Sequence, residues 1–256
     1  MPSVAIDCFH EHLPVVAADS AIVAIDVIRA TTTAVTAAAL GQRVYPAGSI
    51  EAAVRLAADL DRPLLAGELG GVQPYGFDLQ NSPSQIEALT GTSRPIILLS
   101  TSGTRLIAEA ASHGITYVAC LRNAAAQAAQ LAEEQRDVLI LGADSRGEFR
   151  EEDQLCAARI ADALVQRGYV MEDDATKSVH QRWAGAPDEA FVDGRSAHYL
   201  RDTGQEEDLR FVLDHVDDLS AVFVLEERAI QPVAPLERRP AGELPSSAPG
   251  APLESA

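Results

Sequence analysis

The residues of this chain that can do chemistry gather in short polar runs, each directly behind an apolar one. Ala21–Ile25 is apolar and ends at Asp26, with Arg29 and then Thr31, Thr32 and Thr33 behind it. Ile96–Leu99 runs in the same way into Ser100-Thr101-Ser102-Gly103-Thr104-Arg105. A Gly/Ser/Thr-rich turn entering a helix offers free backbone N–H groups and hydroxyls, which suits phosphate. Capping of the helix competes for the same hydroxyls. Carboxylates stand near such turns: Glu68 after Leu64–Ala66, and Asp144 and Glu148 after Val138–Leu141. Grouped there they suit Mg2+, a hard cation held by oxygen and shared with substrate phosphates; solvated surface acids are the competing reading. Glu152 and Asp153, with Glu151, read equally as first-turn acids complementing a helix dipole. Arg29, Arg105, Arg122 and Arg146 fall at or just past expected strand ends, where guanidinium groups bind phosphate or sulfonate bidentately or pair with nearby acids.

The elements that must position these groups occur twice. The first copy reads strand 21–25, an Ala-rich helix closing at Gly41, strand 44–47, a helix capped by Ser49, and strand 64–66 ending in Gly67-Glu68-Leu69-Gly70-Gly71. In the second, strand 96–99 leads to a helix closing at Gly114, strand 115–119, a helix that Asn123 can cap, and strand 138–141 ending in Gly142-Ala143-Asp144. Corresponding positions lie about 75 residues apart: Asp26 with Thr101, Gly41 with Gly114, Gly67 with Gly142. Each copy is β-α-β-α-β, which right-handed crossovers turn into a parallel-type sheet covered by helices, with ligands beyond the carboxyl ends of the strands. The expected class is therefore α/β: a first half over 1–90, and a second over 91–233 that adds a C-terminal α+β extension. That extension comprises a helix from about Glu151, short helices or loop over 171–193, a helix over 206–216 and a strand over 221–225. Five prolines with Ser, Gly and Ala from Ala234 onward describe a disordered tail over 234–256. The segment from Gly70 to Pro83 is long and Gly-rich, as binding loops and lids often are.

Composition excludes several classes. The 256 residues carry 38 acids against 20 basic side chains, a formal charge of −18, which argues against nucleic acid and bare anionic membrane. No run reaches the ~18 apolar residues of a membrane span, and the first residues lack the basic and apolar regions of a signal peptide. Cys8, Cys120 and Cys156 are widely spaced without a CxxC pair, which fits a reduced, cytoplasmic setting and leaves zinc and dithiol chemistry unsupported. With Lys177 the only lysine and no GxxxxGK[ST], a P-loop is excluded. Asp26-Val27-Ile28-Arg29-Ala30-Thr31 begins like the nucleophile loop of haloacid-dehalogenase-type phosphatases, but Ile28 replaces its second aspartate. The acid excess is uneven: from Asp202 to Glu227 there are nine acids and one arginine. A homodimer is the default expectation for association.

The combined motifs resemble the 2-phosphosulfolactate phosphatase (ComB-like) family. The matching stretches are Ala24–Thr33, Gly67-Glu68 with Gly76–Pro83, Thr101–Thr104, and Gly147-Glu148-Phe149 running into Glu152–Ala157; Glu207-Asp208-Leu209 with Asp217 is similar to the family's C-terminal part. The resemblance implies a Mg2+-dependent phosphatase that converts 2-phospho-3-sulfolactate to 3-sulfolactate and phosphate, a step toward coenzyme M. On that reading the catalytic candidates are Asp26, Arg29, Glu68, Glu152 and Asp153, with Asp26, Glu68 and Asp153 as metal ligands. The substrate-binding candidates are Thr31, Thr32, Thr33, Asn81, Ser82, Thr101, Ser102, Gly103, Thr104, Arg122, Asn123, Arg146 and Gly147. Ser102 stands where the family commonly has Asn, and Asp144 where Gly is usual; both bear on which ester is cleaved. A phosphatase for another small phosphorylated carboxylic acid, a non-catalytic anion-binding protein of the same fold and an interaction module are the other readings. The full set of Asp, Arg, Thr and Glu-Asp motifs favours the enzyme.

Overall fold

Ala21–Ile25 and Ile96–Leu99 are buried along their whole length, and each is the middle strand of a parallel triplet. The computed structural model describes residues 1–8, 19–89, 91–145 and 147–233; the tail expected to be disordered, 234–256, lies outside them. The strands are β1 (Ser3–Asp7), β2 (Ala21–Ile25), β3 (Val44–Ala47), β4 (Leu64–Gly67), β5 (Ile96–Leu99), β6 (Ile115–Ala119), β7 (Val138–Gly142), β8 (Val170–Met171), β9 (Phe223–Glu226) and β10 (Ala229–Pro232). They form one mostly parallel sheet in the order β4-β5-β3-β10-β9-β6-β2-β7-β1-β8.

That order shows the duplication and how the copies join. In the first copy, β2, β3 and β4, the leading strand β2 lies between β6 and β7 of the second copy. Conversely β5, the leading strand of the second, lies between β3 and β4 of the first. The registers agree: Ala21 faces Ile115 and Val138, as Ile96 faces Val44 and Leu64. Each half has handed its leading strand to the other, so a boundary at 90/91 runs through a single sheet. The antiparallel hairpin β9–β10 joins the triplets, pairing β10 with β3 and β9 with β6. Consequently the triplets run in opposite directions, and five strand-to-strand steps separate β5 from β2. At the usual twist those steps accumulate roughly 100–125°, enough to turn the carboxyl ends of β2 and β5 toward each other.

Side-chain alternation assigns the helices to faces. Ile22, Ala24, Val44, Ile96 and Leu98 pack under α1 (Ala30–Ala39), α3 (Pro83–Glu87) and α4 (Gly103–Ala110). On the other face Ala21, Val23, Ile25 and Ile140 meet α5 (Ala124–Glu134), α6 (Glu151–Val165) and α7 (Asp174–Trp183), while Tyr45, Ala47 and Ile97 meet α2 (Ile50–Asp59). Ser49 caps α2 as expected, its Oγ accepting from the Ala52 N–H at 3.1 Å. Asn123 does not cap α5. Its Oδ1 accepts from Cys120 N–H at 3.0 Å, and Asp217 from the far C-terminal region receives the Ala125 N–H at 2.9 Å. Short helices α8 (Arg195–Asp202) and α9 (Glu206–Asp214) precede the β9–β10 hairpin.

Arg122 is a structural residue at this junction and does not line the cleft described below. Its guanidinium makes two bonds to Asp218, at 3.0 and 2.6 Å, and one to Thr36 Oγ1 at 2.9 Å, and lies over the Phe211 ring. Those contacts tie the end of β6 to α1 and α9. Replacing Arg122 by Ala removes the packing and the charged hydrogen bonds to Asp218, whose side chain is 31% exposed, so we expect about 2 kcal/mol lower stability in urea unfolding. A loss below about 1 kcal/mol would show that the pair does not hold the junction.

Candidate active site

The carboxyl ends of β2, β4, β5 and β7 converge on one cleft of about 310 Å3, closed on its open side by α8. Its walls include Asp26, Arg29, Glu68, Asn81, Thr101, Ser102 and Asp153 from the expected set, joined by Arg150, Arg195, Ser196 and Tyr199.

Asp26 is the fixed point. It is buried behind β2, with the Ala30 and Arg29 N–H groups at the start of α1 near enough to favour its charged form. From the second half, α4 approaches so closely that a Cβ at Gly103 would lie 2.1 Å from Asp26 Oδ2 and 2.7 Å from the Ala30 Cβ. Gly103 therefore permits the approach of two helix starts. We expect Gly103→Ala to leave the circular dichroism spectrum native while lowering turnover by about tenfold or more, because a misplaced catalytic group costs that order.

The first two threonines that follow Asp26 are spent on the backbone, and the hydroxyl of the third, Thr33, is buried without a partner among the described residues. Thr31 Oγ1 accepts from the Asp26 N–H at 2.9 Å and donates to the Asp26 carbonyl at 2.8 Å, and Thr32 Oγ1 donates to the Val27 carbonyl at 2.7 Å. With Thr33 also buried, none of the three lines the cleft, so they shape the turn rather than offer hydroxyls to a ligand. Thr104 behaves likewise: its hydroxyl contacts the carbonyls of Ala47 and Ser100. The Asn123 side chain is also buried, on the Cys120 N–H and the Val118 carbonyl. Gly147 sits in a turn at φ +76, and Arg146 lies outside the described residues.

Arg29 lines the cleft with its charge already matched. Its Nη1 donates to Asp208 Oδ2 at 2.6 Å and to Gln205 Oε1 at 2.5 Å. Asp208 Oδ1 in turn receives Ser82 Oγ at 2.6 Å, Ser84 Oγ at 2.6 Å and the Ser84 N–H at 3.1 Å, which pins the end of the long loop. At its other end Glu68 does the same work. Oε1 accepts from the Thr101 N–H at 2.6 Å; Oε2 accepts from the Gly71 N–H at 2.6 Å and the Thr101 hydroxyl at 2.9 Å. Gly71 holds φ +85, which side chains rarely adopt, and a Cβ there would displace the Tyr199 hydroxyl, which it would meet at 1.9 Å.

On the opposite wall stands the start of α6. Asp153 Oδ1 accepts from the Val27 N–H at 2.7 Å, and Glu152 is buried with both carboxylate oxygens lacking a hydrogen-bond partner among the described residues. Burial, more than any other cause, raises the pKa of all three acids. Asp26 moves up to about 6, helped by the neighbouring Glu68 charge, although the Ala30 N–H opposes the shift. Glu152 moves up to about 7, with Asp26 adding to the rise and the Ser196 hydroxyl opposing it without completing a hydrogen bond. Asp153 is held well above the usual carboxylate range by burial and by the charges of Glu152 and Asp26, against which Arg150 acts.

Mutual repulsion among the acids and the all-oxygen donor set of Asp26, Glu68 and Asp153 at the cleft fit a hard divalent cation. No three His, Cys, Asp or Glu side chains among the described residues already converge on a common metal position. Mg2+ is compatible with that, because it commonly takes one or two carboxylates and completes its shell with water and phosphate oxygens. The thiols offer no alternative chemistry: burial pushes Cys8 up to about 12 and Cys120 up to about 11, and raises Cys156 as well.

Sequence reading missed Arg150, Arg195, Ser196 and Tyr199. Arg150 immediately precedes the acidic first turn of α6, a signal available in the sequence. The α8 residues reach the cleft only through tertiary packing, and their polar surroundings in the chain carry no mark of it.

An α/β sheet that sets buried carboxylates opposite arginines at its carboxyl edge defines an enzyme for small anions. A family model described as 2-phosphosulpholactate phosphatase matches residues 9–228. The chain belongs to that family, whose members are phosphoric monoester hydrolases. Among similar proteins, one from Carboxydothermus hydrogenoformans, named "Probable 2-phosphosulfolactate phosphatase", is 36% identical over 187 residues, covering 72% of this chain and 77% of the relative. One of the same name from Caldanaerobacter subterraneus subsp. tengcongensis is 31% identical over 198 residues, 75% and 82% of the two chains. Another, from Pseudothermotoga lettingae, is 42% identical over 140 residues, 54% and 59%.

The raised carboxyl values fix a pH dependence. Glu152 goes from an ordinary 4.5 to about 7, and Asp26 from 3.8 to about 6, so between these limits the folded state binds more protons than the unfolded one. Stability from these groups is complete below about pH 4 and is lost as pH rises toward 7. We expect the metal-free protein to melt at a lower temperature at pH 7.5 than at pH 5.5, with Glu152→Gln flattening the trend. A melting temperature that rises over that interval and is insensitive to Glu152→Gln would contradict the assignment.

Proposed function

We propose that the chain hydrolyses 2-phospho-3-sulfolactate to 3-sulfolactate and phosphate with the assistance of Mg2+, a reaction of the coenzyme M biosynthetic type. The observation that carries this reading is the cleft of a family member in which Asp26 and Asp153, both with raised pKa, stand with Arg150 and Arg195 around one small space. Such a space suits an ester with a phosphate and further acid groups. The relatives' name supplies the substrate. Three unpaired, buried cysteines agree with a reducing, cytoplasmic location.

Asp26 and Asp153, with Glu68 beside them, would hold the cation. Bound there, Mg2+ supplies positive charge to the phosphoryl oxygens, the larger part of catalysis in phosphoryl transfer. The protein's own groups orient the ester. Arg150 faces the acids from the adjoining wall, and Asn81, whose Oδ1 has no partner among the described residues, and Ser102 border the same space. Water is the attacking group we infer. Thr31, Thr32 and Thr104 are committed to carbonyls, Thr101 to Glu68, and the thiols are protonated and buried. Attack by water on phosphorus breaks the bond to the ester oxygen, which leaves with a proton as the hydroxyl of the product. Glu152, with a pKa raised to about 7, is a nearby group able to carry a proton near neutrality.

The test is phosphate release from 2-phospho-3-sulfolactate, alongside phosphoglycolate and phospholactate, with and without MgCl2. We expect the sulfonated ester to be preferred. Asp26→Asn should lower Mg2+-dependent release by at least about 100-fold, and should also reduce the rise in melting temperature that MgCl2 gives the native protein. Unchanged turnover in Asp26→Asn would overturn the assignment of Asp26, and no release from any of the esters would overturn the activity.

A further inference from the structure

Most arginine charge near the cleft is closed by fixed partners. Arg29 is held by Asp208 and Gln205, Arg122 by Asp218, and Arg105 lies beside Glu109 on the surface of α4. Arg150 and Arg195 differ, because both line the cleft and one carboxylate serves them both. Glu148 Oε2 accepts from Arg150 Nη1 at 2.8 Å, while Glu148 Oε1 accepts from Arg195 Nη1. Arg150 is held further by the Ser145 carbonyl at 3.2 Å and the Ser145 hydroxyl at 3.1 Å, and its buried Nε has no partner among the described residues. Arg195 stands at the mouth with its side chain 71% exposed, and Glu148 is 39% exposed beside it.

Two guanidinium groups share a single negative charge here, so the group keeps an excess of one positive charge at the edge of a cleft whose inner wall is acidic. A half-exposed carboxylate on such a pair is easily exchanged. An incoming carboxylate or sulfonate replaces each broken N–H···O contact with an equivalent one, and the released Glu148 gains water. Arginine's planar fork suits either acid. A phosphate ester with no second acid has nothing to put in place of Glu148.

We propose that Arg195 and Arg150 form the subsite for one of the acid groups, carboxylate or sulfonate, that the substrate carries in addition to its phosphate, and that Glu148 fills this subsite in the free protein and yields it on binding. Arg195 is then the residue that distinguishes a phosphorylated sulfo or carboxy acid from a simple phosphate ester. The assignment takes the substrate class from the function proposed above, but it concerns binding and stands apart from turnover.

The experiment is calorimetric titration of the full chain in Mg2+ buffer with 3-sulfolactate and, separately, with inorganic phosphate. For Arg195→Ala we expect the ratio of 3-sulfolactate to phosphate affinity to fall by about 10- to 100-fold, the range of a hydrogen-bonded charged contact. Arg195→Lys should restore part of it. Glu148→Gln should raise 3-sulfolactate affinity several-fold, because the internal competitor loses its charge. Lactate and isethionate, carrying only the carboxylate or only the sulfonate, show which acid responds to Arg195. If 3-sulfolactate does not bind the native protein, or if the Arg195→Ala ratio equals the native one, the subsite is wrong even where ester hydrolysis is found. If Arg195-dependent binding is found without phosphate release from any ester, the subsite stands and the phosphatase activity falls.

Discussion

Burial of the Asp26 carboxylate is the constraint on which the rest of the site depends. It lies at the start of α1, near the N–H groups of Arg29 and Ala30, and is covered from the other side by Gly103 of α4. A single carboxylate can be kept in such a place by backbone donors. Asp153 on the facing wall and Glu152 buried behind it make the arrangement costly, because each opposes ionisation of the others. The free protein answers by holding protons that carboxyls ordinarily lose. A cation and a phosphate together would answer it better, since they bring compensating charge to the same small volume. Repulsion among the acids and affinity for a cation with its phosphate thus share a physical origin.

The duplicated architecture explains why that junction exists. Each half lends its leading strand to the other, and the helices after those strands, α1 and α4, lie side by side on one face with their starts in contact. Asp26 and Thr101 occupy matching places in the two copies, but they are not used alike. The first copy supplies a carboxylate followed by Arg29, which is anchored by the C-terminal helix α9. From the second copy comes Thr101, whose N–H and hydroxyl hold Glu68 in position. A symmetric frame carries an asymmetric site, and Gly103 is the residue that lets the two copies come close enough.

Strand ends were legible because burial on both faces leaves a continuous apolar run, and the polar residues behind such runs are where an α/β sheet binds its ligands. That logic reached Asp26, Glu68, Thr101, Ser102 and Asp153, all of which line the cleft. It also brought in Thr31, Thr32 and Arg122, whose hydrogen bonds go elsewhere, because a residue's place in the chain does not say which donor or acceptor it faces. Thr31 looks the same in sequence whether its hydroxyl meets a phosphate or the Asp26 carbonyl. The leading-strand exchange was illegible for a related reason: two identical β-α-β-α-β patterns pair equally well within a copy or between copies. β1 and β10 went unread, and β8, with two residues, left too short a pattern to see.

A net charge of −18 sits oddly with an anionic substrate until the acids are matched to their partners. The C-terminal stretch with nine acids supplies Asp208 to Arg29 and Asp218 to Arg122. Those pairs are nearly buried on the arginine side, so they position backbone and loops, and their charge is largely matched before it reaches a ligand. What acts on a ligand is the local difference: carboxylates gathered on the inner wall, and two guanidinium groups sharing one carboxylate nearer the mouth. Fields from the distant acids are attenuated within about 8–10 Å at ordinary ionic strength, whereas groups inside the cleft are screened much less. The whole-chain charge therefore governs which large polyanions are turned away, and Arg150, Arg195 and the inner carboxylates govern which small one is admitted.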